Sequence, residues 1–258
     1  MDSSNLVGAS APVLIAALVA TAVTMGPIVT AEQTYVGVAL SLIFRFGASI
    51  LVAYISAKSY LMSGSRTSLV VGSGLLAFGL SGITGTLSGY FLAGPSAQVT
   101  VNNTGAMVAG ILNVVAALMS AIVTQSASRR RLWLGTAYVG IAVFTLVLAG
   151  AAVVGVLPAY LIPGKGPTIL GSTILASSVV LFSASFLFFM RGYLASKSGV
   201  LYWYSLALAL LAIASSAFFF SKAPGDIVSW SGRVANALGC TFFVVAVLTT
   251  TRDRKQKR

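Results

Sequence analysis

The sequence predicts an all-α membrane protein: a polytopic bundle of eight transmembrane helices in one domain covering residues 1–258. Three observations carry that prediction. Hydrophobic residues make up 57% of the 258 and charged residues 8%, against about a quarter charged in soluble domains. The mean hydropathy is +0.97. Apolar runs long enough to cross a bilayer, about 20 residues each, recur between short polar breaks. A soluble enzyme, a disordered chain, a coiled coil and a secreted disulfide scaffold are excluded, because so few charges cannot cover a soluble surface.

Taken in order, the first run is roughly 9–29, closed by Ala31-Glu32-Gln33. Its end, Val29-Thr30-Ala31, resembles a small-x-small cleavage site, and removal would leave seven spans. The missing basic segment before it and its length favour a retained helix. The second run, 35–57, ends in a charged turn from Lys58 to Arg66 with Ser63-Gly64-Ser65 at its centre. The third, 67–92, is glycine-rich. Gly94-Pro95-Ser96 through Asn102-Asn103 reads as a polar loop, followed by the fourth run, 104–125. Ser126 to Arg131 separates it from the fifth, 132–155. A Pro/Gly loop, Leu157-Pro158 to Pro163-Gly164-Lys165-Gly166-Pro167, leads to the sixth, 168–191. Arg191 to Ser198 precedes the seventh, 199–221, and Ser221 to Asp226 precedes the eighth, 231–250. A basic tail, 251–258, completes the chain.

The chain carries 16 basic and 4 acidic residues, a formal charge of +12. In a membrane protein this excess marks cytoplasmic loops before it marks nucleic acid. Lys58, Arg66, Arg129, Arg130, Arg131, Arg191, Lys197 and the tail residues Arg252, Arg254, Lys255, Lys257 and Arg258 fall on one side of an eight-span register. Lys165 and Lys222 fall on the other. The expected topology is a multi-pass cell-membrane protein with a cytoplasmic C-terminus. The tail meets anionic headgroups, worth about 1 kcal/mol per basic residue near the surface, or docks a protein partner. No nucleic-acid partner is expected.

The absent residues limit the chemistry. There is no His and one Cys, Cys240, so His-ligated metals, catalytic triads and intrachain disulfides lack material. The acids, Asp2, Glu32, Asp226 and Asp253, all lie outside the centres of apolar runs. No catalytic residue, metal or cofactor is expected, and an enzyme is the weakest reading.

Two arginines escape the loop accounting. Arg45, in Ile43-Phe44-Arg45-Phe46, lies deep in the second span, where a charge costs about 2.5–3.5 kcal/mol on insertion scales. It either anchors an anionic group or is a structural arginine bonded to helix carbonyls. Arg233 opens the eighth span with Asp226 and Trp230, spaced to share one helix face if the helix starts at Asp226. This group is either the lip of a ligand cleft or a local pair that positions the helix, and Asp226 can cap the new helix or sit near its positive end. Ser81, Gly85 and Gly89 recur every four residues, a small-residue stripe for close helix packing within the chain or between two copies. Tyr202-Trp203-Tyr204 reads as an interfacial aromatic belt. The sequon Asn102-Asn103-Thr104 is discounted as a chance match.

Several of these pieces have a familiar order: Ser59-Tyr60-Leu61-Met62-Ser63-Gly64-Ser65-Arg66 before a glycine-rich helix, then Pro163-Gly164-Lys165-Gly166-Pro167-Thr168. Leu201-Tyr202-Trp203-Tyr204-Ser205-Leu206-Ala207-Leu208-Ala209-Leu210 follows, and Trp230-Ser231-Gly232-Arg233 comes last. Over roughly residues 35–250 the chain resembles the multi-span N-terminal domains that precede PAS and histidine-kinase modules in prokaryotic membrane sensors. The resemblance implies a signal-input module and supplies no catalytic residues. No kinase region follows within these residues, so output through a partner chain is expected. The leading expectation is a non-enzymatic sensory or accessory protein that binds a small anionic or amphipathic ligand or lipid between helices, at Arg45, Asp226, Trp230 and Arg233. A small-molecule or lipid transporter, and a structural subunit of a membrane complex, are the alternatives.

Overall fold

The computed structural model describes residues 3–25, 34–120, 129–162, 165–222 and 225–256, with the side chains of 3–7, 34 and 250–256 left aside. The break at Ala31-Glu32-Gln33, the Val29-Thr30-Ala31 motif, Asp2, residues 126–128, Pro163-Gly164 and the side chains of the basic tail lie outside the described residues.

The chain is an all-α bundle. The helices are α1 (Ser3–Met25), α2 (Thr34–Leu40), α3 (Ala48–Ser63), α4 (Arg66–Leu87), α5 (Gly94–Ser120), α6 (Arg130–Val154), α7 (Ile169–Ser196), α8 (Gly199–Phe220) and α9 (Ile227–Gln256). Two π-helical segments, Ser41–Gly47 and Ser88–Ala93, widen the coil locally. The first joins α2 to α3 without a break, because Leu40, Gly47 and Ala48 all keep helical dihedrals. A small antiparallel pair, β1 (Leu161–Ile162) and β2 (Gly166–Pro167), closes the α6–α7 connection.

Among the described residues, seven helical stretches are long and apolar enough to cross a membrane. The longest, Arg66–Ser120, is a hairpin. Gly94 turns the chain with φ +78, a left-handed angle that glycine takes without steric cost. The two arms then run antiparallel. Ser81 packs on Gly105, Gly85 on Asn102, Gly89 on Gln98, and Gly74 on Leu112 and Asn113. Ser81, Gly85 and Gly89 therefore all face α5.

This corrects the loop expected at Gly94 to Asn103, which is the first two turns and more of α5. Its polar side chains turn inward against the small-residue stripe of α4 instead of into water. The sequon asparagine Asn102 sits on this helix with its side-chain oxygen buried.

The core lies where α4, α5, α7, α8 and α9 meet. Phe78 and Phe182 pack edge to face with centroids 6.3 Å apart. Tyr204 stands between Phe189 and Phe243, 4.9 Å from each. The Tyr204 hydroxyl donates to Asn113 Oδ1, and Asn113 Nδ2 donates to the Ala109 carbonyl at 2.8 Å. The expected interfacial belt at Tyr202-Trp203-Tyr204 is thus corrected: Tyr202 and Tyr204 are buried and Trp203 packs on Phe242 at 5.2 Å. Asn113, invisible as a partner in sequence, gives the Tyr204 hydroxyl a bond inside the apolar core.

The periphery is held more lightly. α1 packs through Val19 and Ala22 on Ala217 and Val228. α6 buries little of itself and is fixed by Tyr138, whose hydroxyl donates to the Ala53 carbonyl at 2.7 Å. Arg130 Nη1 donates to the Leu61 and Met62 carbonyls at 3.0 and 3.1 Å. The guanidinium therefore satisfies carbonyls at the end of α3 that have no helical partner. The basic turns after the second and fourth predicted spans thereby sit at the same end of the bundle.

Candidate functional site

At the opposite end from Arg130 the helices enclose a cavity of about 150 Å³. Its polar wall is Ser41 and Arg45 from the first π segment, Tyr90 from the second, Gln98, Asn102 and Asn103 from α5, and Arg233 and Asn236 from α9. Its apolar wall is Phe44, Phe78, Leu175, Leu211 and Phe218, roofed by Leu161 and Pro167 of the β-hairpin.

Arg45 is 9% exposed. Its Nε donates to the Phe78 carbonyl at 3.1 Å and its Nη2 to the Asn102 carbonyl at 3.3 Å. The Phe78 ring lies under the guanidinium, 4.3 Å from Cζ to centroid, within cation–π range. Gly82 makes this possible: a Cβ there would fall 2.5 Å from Arg45 Cδ and 2.6 Å from Nε. Among the described residues no carboxylate pairs with Arg45. Arg45 is thus bonded to helix carbonyls, and it also lines the cavity.

Ser41, where the first π segment begins, lies 2.9 Å from the Thr86 hydroxyl, which itself donates to the Gly82 carbonyl at 2.7 Å. The turns bearing Arg45 are thus tied to the α4 end that leads into the second π segment. At the cavity rim Gly37 has the same function as Gly82. A Cβ on it would lie 2.5 Å from the Tyr90 hydroxyl and 3.2 Å from Arg233 Nη1.

The other three candidates separate. Arg233 lines the cavity and stacks on Trp230, 4.7 Å from Cζ to centroid. Asp226 and Trp230 do not line it. Asp226, 1% exposed, precedes α9 and does not begin it. Its Oδ1 accepts the Ser229 N–H at 2.6 Å and the Ser221 hydroxyl at 3.1 Å; its Oδ2 accepts the Lys222 N–H at 2.8 Å. This is an N-cap that also closes the α8–α9 turn. Asp226→Ala should therefore lower stability by about 1–3 kcal/mol, read as a lower melting temperature in detergent, with the cavity side chains unchanged.

Gln98, Asn102 and Asn103 are polar lining that sequence reasoning missed, whereas Asn236 continues the polar stripe that begins at Arg233. The first three were assigned to a loop. The available signal was spacing: Gln98 and Asn102 are four apart, as are Gly85 and Gly89, which is the pattern of two helix faces in contact. The side-chain oxygens of Asn102 and Asn236 are buried without a hydrogen-bond partner.

The arrangement supplies a fixed positive charge, neutral amides and an apolar wall. Among the described residues no group of three His, Cys, Asp or Glu side chains gathers. A family model described as MASE3, a membrane-associated sensor domain, matches residues 39–253. No curated protein and no solved structure matches the chain.

Proposed function

The chain belongs to the MASE3 family of membrane-associated sensor domains, the type found N-terminal to PAS and histidine-kinase modules, and from that premise we propose that the cavity is where its signal is received. The protein is a non-enzymatic, membrane-embedded, sensor-type domain. In the proposed reading a small ligand or a lipid headgroup enters between the helices, Arg45 and Arg233 meet its polar end, Trp230 orients Arg233, and Asp226 holds the start of α9. Occupancy shifts the packing of α2–α3 against α4 and α5. The shift reaches a partner chain at the face bearing Arg129 to Arg131, which the excess of basic residues assigns to the cytoplasm together with the C-terminus.

One observation carries this reading: Arg45 is a buried cation at the wall of a cavity, with no carboxylate to match it among the described residues. Such a charge is expensive in a membrane interior and is a functional residue by default.

The test uses the full chain in nanodiscs and a panel of small anions, cations and neutral amphiphiles, read by thermal unfolding. A ligand at about 100 times its Kd should add about 2.7 kcal/mol to stability. That gain should vanish in Arg45→Gln while the variant still unfolds cooperatively. If no compound stabilises the wild type, or if Arg45→Gln responds equally, the cavity is not the input site.

A further inference from the structure

We propose that the cavity selects a monocarboxylate with an apolar body, its carboxylate held end-on by the Arg45 guanidinium. This rests on the cavity being the input site and adds the chemical class of the input.

The guanidinium fixes the polar half of that class. Arginine carries five N–H groups in a planar fork. The bonds to the Phe78 and Asn102 carbonyls use Nε and one proton of Nη2. The remaining protons lie on Nη1 and Nη2, the edge that accepts a planar two-oxygen anion in parallel bonds. Both main-chain bonds, the Phe78 ring and the close approach of Gly82 hold the fork in place, so binding costs little further ordering. The rest of the described polar lining is neutral amide and hydroxyl, apart from Arg233, and among the described residues no carboxylate lines the cavity to favour a cation.

The hydrocarbon in the lining fixes the other half. Phe44, Leu175, Leu211 and Phe218 offer hydrocarbon and no donors. A tetrahedral anion such as phosphate would be left facing them. The cavity of about 150 Å³ has room for a benzene-sized group. A ring, or the first carbons of a longer chain, with one carboxylate fills both halves. The same chemistry has two sources, a free acid from water or the head of a fatty acid in the bilayer.

The experiment uses the full chain in phosphatidylcholine nanodiscs free of fatty acid, titrated separately with benzoate, oleate, benzyl alcohol, benzylamine and inorganic phosphate. Benzoate, oleate or both should bind saturably; benzoate alone identifies a free acid and oleate alone a membrane source. Arg45→Lys should weaken the carboxylate at least about tenfold, because a point charge replaces the planar fork. Ala237→Leu, which fills the lining and leaves Arg45 unchanged, should also block binding. Equal binding of benzyl alcohol or benzylamine, or competition by phosphate as strong as that by benzoate, would overturn the carboxylate assignment and leave the input site standing. Saturation by none of the five probes, in wild type and both variants, removes the assignment and the input site together.

Discussion

Arg45→Met is expected to stabilise the bundle while abolishing its response to ligand. The Phe78 and Asn102 carbonyls that accept from Arg45 belong to α4 and α5, so each keeps its own helical N–H donor when the arginine goes. The substitution therefore orphans no acceptor. What it removes is a charge whose placement in the membrane costs about 2.5–3.5 kcal/mol, only partly offset by two neutral acceptors and the Phe78 ring. Replacing buried ion pairs by apolar side chains of similar volume is neutral or gains about 1–4 kcal/mol in other proteins. The shorter methionine fills the space beside Gly82 less completely, and a net gain of about 1–2 kcal/mol is the expected result. Reversible unfolding in mixed micelles measures it. A loss of more than about 1 kcal/mol would mean that Arg45 is a strut between α4 and α5, and the charge would need no ligand to explain it.

The largest loss of stability is expected at the α4–α5 hairpin. A Cβ on Gly105 would overlap both Oγ and Cβ of Ser81, so any side chain there forces the helix backbones apart. Gly105→Leu should destabilise by about 3 kcal/mol or more and scatter the side chains that α5 places in the cavity. A size swap separates packing from a failure of glycine itself. Ser81→Gly combined with Gly105→Ala moves the side chain from one helix to the other and should recover most of the loss seen in Gly105→Ala alone. If the double variant is no better than the single, the contact is not what spaces the two helices.

The sequence carried the membrane class and the run of apolar segments, because hydropathy over 20 residues is a bulk property that packing does not alter. It also singled out Arg45 and Arg233, since charges in apolar runs are conspicuous one residue at a time. It did not place Gln98, Asn102 and Asn103. A polar cluster after Gly94-Pro95 looks the same whether it meets water or the small-residue face of another helix, and only the partner decides. Asp226 was ambiguous for a related reason. Its spacing to Trp230 and Arg233 fits one helix face, but its carboxylate turns back on the Ser221, Lys222 and Ser229 donors. Local backbone bonding outcompetes a shared face at a helix start. Tyr204 was misplaced because its partner Asn113 is 91 residues away in the chain.

The hairpin also bears on how the chain enters the bilayer. α5 carries Gln98, Asn102, Asn103 and Asn113, and amides alone in hydrocarbon lack partners. Paired with α4, Gln98, Asn102 and Asn113 pack on Gly89, Gly85 and Gly74 as soon as the turn at Gly94 forms. The two arms are adjacent in sequence, so this pairing closes the shortest of loops. Insertion of α4 and α5 as one unit follows, with that side of the cavity assembled during biogenesis before α7, α8 and α9 arrive to complete it.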